Sequence, residues 1–258
     1  MKETLKRILA TCFAIIFCLF CMINIVSPKA DFSENENRYL SKFPEMNFEK
    51  IVSGKFMNEF ESYTSDQFVL RDFFVSLKAR IEKLFLRTEN NGIYFADDNY
   101  LIEKPISYEK YDIDVNLEGL KRLKALKRFD VNLTVVPTAY EILKDKLPDN
   151  SYNPVYQEII SYINRYLEGS NLSCNYPIDI LKENKDKYIF YRTDHHQTAL
   201  GGYLVYKQMS EILGYTPLKM EDFNIEKVSD EFLGTTWSKA MVDKKCADTW
   251  KNMFLKKI

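Results

Sequence analysis

The sequence has 258 residues, of which 46% are hydrophobic and 14% aromatic, so it can bury a substantial core and is not a disordered chain. Lys and Arg total 36 and Asp and Glu total 37, which gives a net charge of -1. Because this balance does not favour wrapping a polyanion, we expect no nucleic acid as a partner.

The first predicted element is a membrane-spanning helix. Residues 8–26 contain no charged side chain and come close to the ~20 residues that a helix needs to cross a bilayer. Lys2, Lys6 and Arg7 precede this run, so the positive-inside rule keeps the N-terminus in the cytoplasm. The sequence after it is a poor signal-peptidase site, which favours an uncleaved anchor over a cleaved signal peptide. We therefore expect a single-pass protein of the cell membrane that is extracytoplasmic after residue 30.

A short polar segment follows the anchor and leads to a folded domain. It shows no sustained apolar period, so we interpret residues 31–47 as a stalk between the tip and anchor at 1–30 and a domain at 48–258. At the start of this domain, apolar side chains recur at helical spacing between residues 48 and 87. This spacing predicts two helices on either side of residues 65–72.

The remainder of the domain alternates predicted strands with predicted helices. Two β-prone runs around a turn-rich tetrapeptide predict a hairpin over residues 92–103. The later elements are a helix marked by leucines at 117–126, a strand at 130–138, a helix at 153–169, a strand at 187–193 and a helix at 198–214. This alternation predicts an α/β domain with a mainly parallel sheet.

Both histidines of the chain lie in the stretch YRTDHHQT, between the last predicted strand and the last predicted helix. Ligands of open α/β sheets gather at the carboxyl ends of strands, where this stretch would lie. In extended chain, side chains two apart point the same way, so Asp194 and His196 should face one side and His195 the other. An aspartate can orient an imidazole that removes a proton from a serine, which makes His196 the preferred base.

Two other interpretations of the same stretch stay open. Asp194 or Thr198 could cap the following helix. Asp-His-His could also supply metal ligands, but the chain has no third histidine, so we assign neither a metal nor a cofactor. The phosphoesterase family named after the same three letters needs further metal-binding aspartates and histidines, and that resemblance fails. Thr138, at the end of the strand at 130–138, is a candidate substrate-binding residue, with a turn-forming role as the alternative.

The cysteines do not indicate a redox or zinc site. Three of the five lie in the apolar N-terminal run, where they are interpreted as small hydrophobic residues. Cys174 and Cys246 could form one disulfide, although nothing in the sequence indicates it. Outside that apolar run the chain has no Cys-x-x-Cys pair, so we expect no thiolate zinc site in the folded domain.

Several ordered stretches resemble a single family. They are ENRYLSKFPE, GKFMNEFESYTSDQFVLRD, NNGIYFADDNYLIEK, VVPTAYEILKDKLP, YRTDHHQTALGGYLVY and FLGTTWSKA. Together they resemble the extracytoplasmic DHHW-motif proteins, which are relatives of the SGNH-hydrolase-like alginate O-acetylation proteins. The resemblance spans roughly residues 30–249 and, through its number of ordered blocks, is more specific than one triplet. It implies an SGNH-like three-layer α/β domain.

The resemblance also implies a chemistry. An anchored enzyme of this family would transfer or hydrolyse ester groups, such as acetyl, on a cell-surface polysaccharide. Asp194 would orient the base His196, His195 would shape the site, and a serine elsewhere would be the nucleophile. A membrane-bound acyl-exporting protein is an expected partner.

Two departures from the family pattern bear on this expectation. Gln197 stands where the family has the tryptophan of its motif, which removes an aromatic surface but no proton-transfer group. The downstream segment that carries the serine nucleophile is not found, so we expect a C-terminally truncated domain with little activity. Ser238 is the nearest serine in sequence that could take its place. The alternative function is a non-catalytic envelope protein that binds a glycan or a membrane partner.

Overall fold

The chain begins with a long apolar helix. The computed structural model describes residues 2–36, 38–105, 108–128, 130–242 and 246–256. Helix α1, Lys2–Val26, is long and apolar enough to cross a membrane, which confirms the predicted N-terminal apolar helix. Its orientation in a membrane stays a prediction. The described chain divides into two units, Met1–Ile81 and Glu82–Ile258.

The first unit joins α1 to a short ribbon and three helices. Strands β1 (Phe32–Ser33) and β2 (Arg38–Tyr39) pair antiparallel, and helices α2 (Phe48–Val52), α3 (Lys55–Asp66) and α4 (Arg71–Leu84) follow, the last ending just beyond the unit boundary. The two helices predicted between residues 48 and 87 are α3 and α4.

One ion pair holds the segment predicted as a stalk. The Arg38 guanidinium donates to both oxygens of Asp66, at 2.6 and 3.0 Å, in the bidentate geometry that arginine favours with carboxylates. These hydrogen bonds hold the pKa of Asp66 well below its usual range. The segment around Arg38 is therefore pinned to the end of α3 by a charged side-chain pair.

The second unit opens with a three-stranded antiparallel sheet. It consists of β3 (Glu89–Asn90), β4 (Ile93–Phe95) and β5 (Leu101–Glu103), with a short 3-10 turn at Asp97–Asn99 between the last two. The predicted hairpin is confirmed as β4 and β5. Asp98 and Asn99 adopt positive φ values of 56° and 61° in this turn, a conformation that Asn and Asp tolerate better than most residues.

The remaining elements include a parallel pair of strands. They are α5 (Lys110–Ala125), β6 (Asn132–Thr134), α6 (Ala139–Ile142), α7 (Val155–Leu167), β7 (Ser173–Asn175), α8 (Ile178–Glu183), α9 (Ala199–Ile212), β8 (Phe223–Phe232), α10 (Thr235–Ala240) and β9 (Asp248–Leu255). Strands β6 and β7 are parallel, whereas β8 and β9 form an antiparallel ribbon. The helices predicted at 117–126, 153–169 and 198–214 are confirmed as α5, α7 and α9.

The expectation of a mainly parallel sheet differs from the structure. Of the strand pairs in the described chain, β6 with β7 is parallel and the others are antiparallel, so the fold is mixed α/β with small sheets. The run predicted as a strand at 187–193 forms only a single bridge, Phe190 with Gln197. Its later backbone N–H groups bond instead to the side chain of Asp248, and a carboxylate takes the place of a neighbouring strand.

A buried apolar cluster lies directly under the motif. Ile189 and Phe190 are almost fully buried and pack with Ile142, Leu143 and Leu181, which come from α6 and α8 and their ends. This cluster fixes the backbone just before the histidines. A second cluster packs α5 and α7 around the start of β6.

Candidate active site

Asp194 and His196 form a hydrogen-bonded pair in the loop before α9. The Asp194 side chain is buried, and its Oδ1 lies 2.5 Å from His196 Nδ1 and accepts the His196 backbone N–H at 2.9 Å. The His196 side chain is 68% exposed. An ionised carboxylate can only accept, so Nδ1 carries the proton and a neutral imidazole presents a bare Nε2 to solvent.

Thr235 holds the other oxygen of the carboxylate. Asp194 Oδ2 accepts the Thr235 backbone N–H at 2.8 Å and its hydroxyl at 3.1 Å. Burial raises the pKa of Asp194, but the N–H groups of Thr235 and His196 together with the His196 imidazole outweigh it and leave that pKa below its ordinary value. The group therefore stays ionised at neutral pH and can stabilise a positive charge on the imidazole.

Gly234 allows Thr235 to approach the aspartate. A Cβ at position 234 would lie 2.3 Å from Asp194 Cβ and 2.4 Å from its Oδ2, closer than van der Waals contact permits. Any other residue would push the corner between β8 and α10 away from the carboxylate. Sequence reasoning assigned no role to Gly234 or Thr235, although the stretch FLGTTW was among the quoted blocks.

A second buried carboxylate, Asp248, fixes the backbone that leads into the motif. It accepts the N–H groups of Arg192 at 2.9 Å and Thr193 at 2.7 Å, the Thr193 hydroxyl at 2.5 Å and the Tyr188 hydroxyl. Burial and the bond to this carboxylate raise the pKa of Tyr188. Sequence reasoning missed Asp248, because nothing local in the sequence links it to a loop more than fifty residues earlier.

His195 does not lie where strand alternation places it. Its ring centroid is 3.9 Å from that of His196, and its Nδ1 lies 2.7 Å from the Thr235 hydroxyl and 4.0 Å from Asp194 Oδ1. The expected opposite orientation is wrong, because the backbone bends through the motif instead of running extended. The two imidazoles consequently share one surface beside the carboxylate.

The capping interpretation applies to Thr198 and not to Asp194. The Thr198 hydroxyl accepts from the Gly201 N–H at 3.3 Å at the start of α9 and donates to the Tyr188 carbonyl. Both oxygens of Asp194 are occupied by other donors. Gln197, which replaces the family tryptophan, is half-buried, and its Nε2 has no hydrogen-bond partner in the described chain.

Two other candidates from the sequence are not joined to this pair by any hydrogen bond among the described residues. Thr138 is exposed at the start of α6, where its carbonyl accepts the first helical N–H groups, and its substrate-binding role stays a prediction. The Ser238 hydroxyl donates to the Gly234 carbonyl at 3.3 Å inside α10. The structure therefore ties Ser238 to its own helix.

The motif could also hold a metal ion by distance alone. Asp194, His195 and His196 each offer one ligand atom, and these atoms lie within 4.8 Å of one another. However, catalytic zinc sites use three protein ligands that are free to turn toward the ion, whereas Asp194 already accepts four hydrogen bonds. Cys174 is a free thiol.

Comparisons with known proteins identify the family of the chain and a shared fold. A family model described as DHHW protein matches residues 92–249. The crystal structure of a DHHW family protein from Eubacterium siraeum has a TM-score of 0.54 and 23% sequence identity, covering 65% of this chain and 56% of that chain. This likeness shows a shared fold, and the present chain spans a little over half the length of that relative.

Two further solved structures are more distant. Bacillus cereus PatB1 with a sulfonyl adduct has a TM-score of 0.47 at 16% identity, covering 64% of this chain and 55% of that one. The O-acetyltransferase domain of Pseudomonas putida AlgJ has a TM-score of 0.48 at 13% identity, covering 63% of each chain. No curated protein matches the chain.

Proposed function

The chain belongs to the DHHW protein family, and on that premise we propose that it is a membrane-anchored extracytoplasmic acyltransferase or esterase that acts on acetyl esters of a cell-surface polysaccharide. The domain is proposed to be of the SGNH-like three-layer type. One observation carries the chemical part of the proposal: a buried, ionised Asp194 oriented on the Nδ1 side of an exposed His196.

The proposed reaction uses His196 as a shuttle for one proton. Its bare Nε2 takes the proton from a serine hydroxyl while that oxygen attacks the acyl carbonyl, and Asp194 stabilises the resulting imidazolium. The imidazolium then gives the proton to the departing alkoxide, which leaves an acyl-serine. A sugar hydroxyl or water repeats the cycle in the second half and frees the serine. His195 and Thr235 keep the pair in place.

The serine itself is proposed from the family resemblance. In the described chain, no serine hydroxyl forms a hydrogen bond with His196, and Ser238 donates to a backbone carbonyl. This observation favours the second candidate function, a non-catalytic envelope protein whose motif surface binds a glycan or a membrane partner. The two candidates differ in whether a covalent acyl-enzyme forms.

The proposed location follows from α1. A single span at Glu3–Val26 with basic residues before it would leave the second unit outside the cytoplasm. There the domain meets surface polysaccharide directly. A membrane-bound acyl-exporting protein is the proposed source of the acyl group.

The decisive experiment traps the acyl-enzyme. The protein would be purified from membranes of its own cells and treated with a serine-directed sulfonyl fluoride, and peptides would be mapped by mass spectrometry. We expect an adduct on one serine and hydrolysis of 4-nitrophenyl acetate. His196→Ala should lower both rates by at least about a thousandfold, because the nucleophile loses its base.

His195→Ala is the matched control, since it removes the neighbouring imidazole and spares the pair. It should reduce the rate by about tenfold or less, through the lost contact with Thr235. Equal activity of the parent protein and His196→Ala would exclude His196 as the base. Absence of both adduct and hydrolysis in the parent protein would exclude acyl transfer and favour the binding function.

A further inference from the structure

A polar cavity of about 560 Å³ lies in the second unit, beside the backbone that leads into the motif. Its lining includes Tyr100, Lys146, Lys185, Lys187, Tyr188 and Arg192. None of these residues belongs to the proposed catalytic pair. Cationic side chains outnumber acidic ones in the lining, so the cavity is a candidate site for an anion.

Arg192 is the most informative residue of the cavity. Its guanidinium lies over the rings of Tyr188 and Tyr100, with its carbon 4.9 and 5.5 Å from the two centroids. The Arg192 backbone N–H is bonded to Asp248, which also holds the Tyr188 hydroxyl. Cation–π contacts and this shared anchor therefore fix the position of the side chain.

No acceptor in the described chain uses the N–H groups of that guanidinium. Arginine carries five such donors in a planar fork, and the Arg192 side chain is half-buried. Leaving charged donors unpaired in a partly desolvated place is costly unless a solvent or ligand oxygen meets them. The cavity in front of the guanidinium is the place where such an oxygen would lie.

The other charges around the cavity are unevenly compensated. Lys146 and Lys185 are each paired with an aspartate. Lys187 donates to a neutral amide at 2.7 Å, and no ion pair of Lys187 occurs in the described chain. Arg192 and Lys187 are therefore the two lining cations without an ion pair among the described residues. The exposed Asp186 offsets one of these charges, which leaves a net positive charge of one around the cavity.

We propose that this cavity binds an anionic group with two oxygen acceptors, a carboxylate or a phosphate, carried by the polymer on which the protein acts. The Arg192 fork matches two such oxygens in a bidentate pair, and Lys187 adds a second cation. Arg192 stands two residues before Asp194, so one loop carries both the anion site and the proposed catalytic pair. The inference rests on the proposed function only for the polymeric nature of the ligand.

The test measures binding without turnover, so its outcome is independent of the proposed chemistry. The full chain in detergent would be titrated with trigalacturonic acid as the carboxylate probe and, separately, with inorganic phosphate. The methyl ester of trigalacturonic acid is the uncharged matched ligand. We expect the acid to bind, the ester to bind at least about tenfold more weakly, and the affinity for the acid to fall with added salt.

Arg192→Gln should weaken binding of the acid at least about tenfold, because the fork is lost. Arg165→Gln, on the exposed side of α7, removes the same charge elsewhere and should leave binding unchanged. Arg192→Lys keeps the positive charge without the fork, so it serves if the glutamine variant unfolds, and it should also bind more weakly.

Displacement of the acid by inorganic phosphate would assign phosphate oxygens to the same site, and binding of the acid without displacement would assign carboxylates alone. Two results would overturn the proposal. One is that neither trigalacturonic acid nor inorganic phosphate binds. The other is equal affinity of the parent protein and both Arg192 variants.

Discussion

Two buried carboxylates flank Thr193, and they differ in the donors that they meet. Asp248 is fully buried and accepts from two backbone N–H groups and from the hydroxyls of Tyr188 and Thr193. Asp194 accepts from two backbone N–H groups and one hydroxyl as well, but its fourth donor is the exposed imidazole of His196. A single changed donor separates a fully enclosed carboxylate from a buried one that is bonded to an exposed imidazole.

The difference shows how the loop divides structural and chemical roles. Every donor of Asp248 is neutral and belongs to the segment 188–193, so this carboxylate orders backbone that lacks a strand partner. Asp194 uses its backbone donors to stay ionised, and its negative charge can stabilise a ring that exchanges a proton. Substitutions at the two positions should therefore affect different properties of the protein.

The largest effect is expected at Asp248. Asp248→Ala would leave the Tyr188 hydroxyl and two backbone N–H groups without an acceptor in a closed environment, which should lower the free energy of unfolding by about 3–5 kcal/mol. Urea denaturation of the full chain would measure it. Asp149→Ala, at an exposed position, should stay within about 0.5 kcal/mol of the parent protein. A loss below about 1 kcal/mol at Asp248 would contradict the role in ordering the loop.

A smaller effect is expected at Gly234, whose missing Cβ lets Thr235 reach Asp194. Gly234→Ala forces atoms to within 2.3 Å, and relieving this clash should cost about 1–3 kcal/mol and displace Thr235. Gly202→Ala is the matched control, because nothing lies within 4 Å of its Cβ position in α9. There the change should raise stability by about 0.5–1 kcal/mol. Thermal unfolding measures both changes. Equal melting temperatures of the Gly234→Ala and Gly202→Ala variants would contradict the close approach of Gly234 to Asp194.

Local patterns predicted the helices of the second unit and the hairpin well. Apolar spacing identified α5, α7 and α9, and a turn-rich tetrapeptide identified β4 and β5, because each depends on residues close in sequence. The pairing of Asp194 with His196 was expected from extended geometry, whereas the structure forms it in a bent loop. Hydrogen bonds from the backbone of His196 and Thr235 to Asp194 hold the pair together, and side-chain alternation along a strand does not predict them.

The parts that sequence did not predict depend on contacts between distant segments. The run at 187–193 has high β propensity, but the Asp248 side chain takes its N–H groups and the parallel sheet stays small. Thr235 and Gly234 lie about forty residues after Asp194, and their role follows only from the tertiary approach of the corner before α10. Periodicity contains no information on such approaches.

The smallest effect is expected in the pH dependence of Asp194. The pKa of this carboxyl is lower in the folded protein than its ordinary value, so its charged form contributes stability above the unfolded pKa of about 3.9. That contribution is lost as the pH falls through the lower, folded pKa. Asp194→Asn cannot ionise, so it should be about 1–2 kcal/mol less stable than the parent protein at neutral pH. Its deficit should shrink in acid, below about pH 3.9, and urea denaturation across pH measures it. A deficit that is constant with pH would mean that Asp194 stabilises the loop through its shape alone, and the comparison with Asp248 would then lose its electrostatic basis.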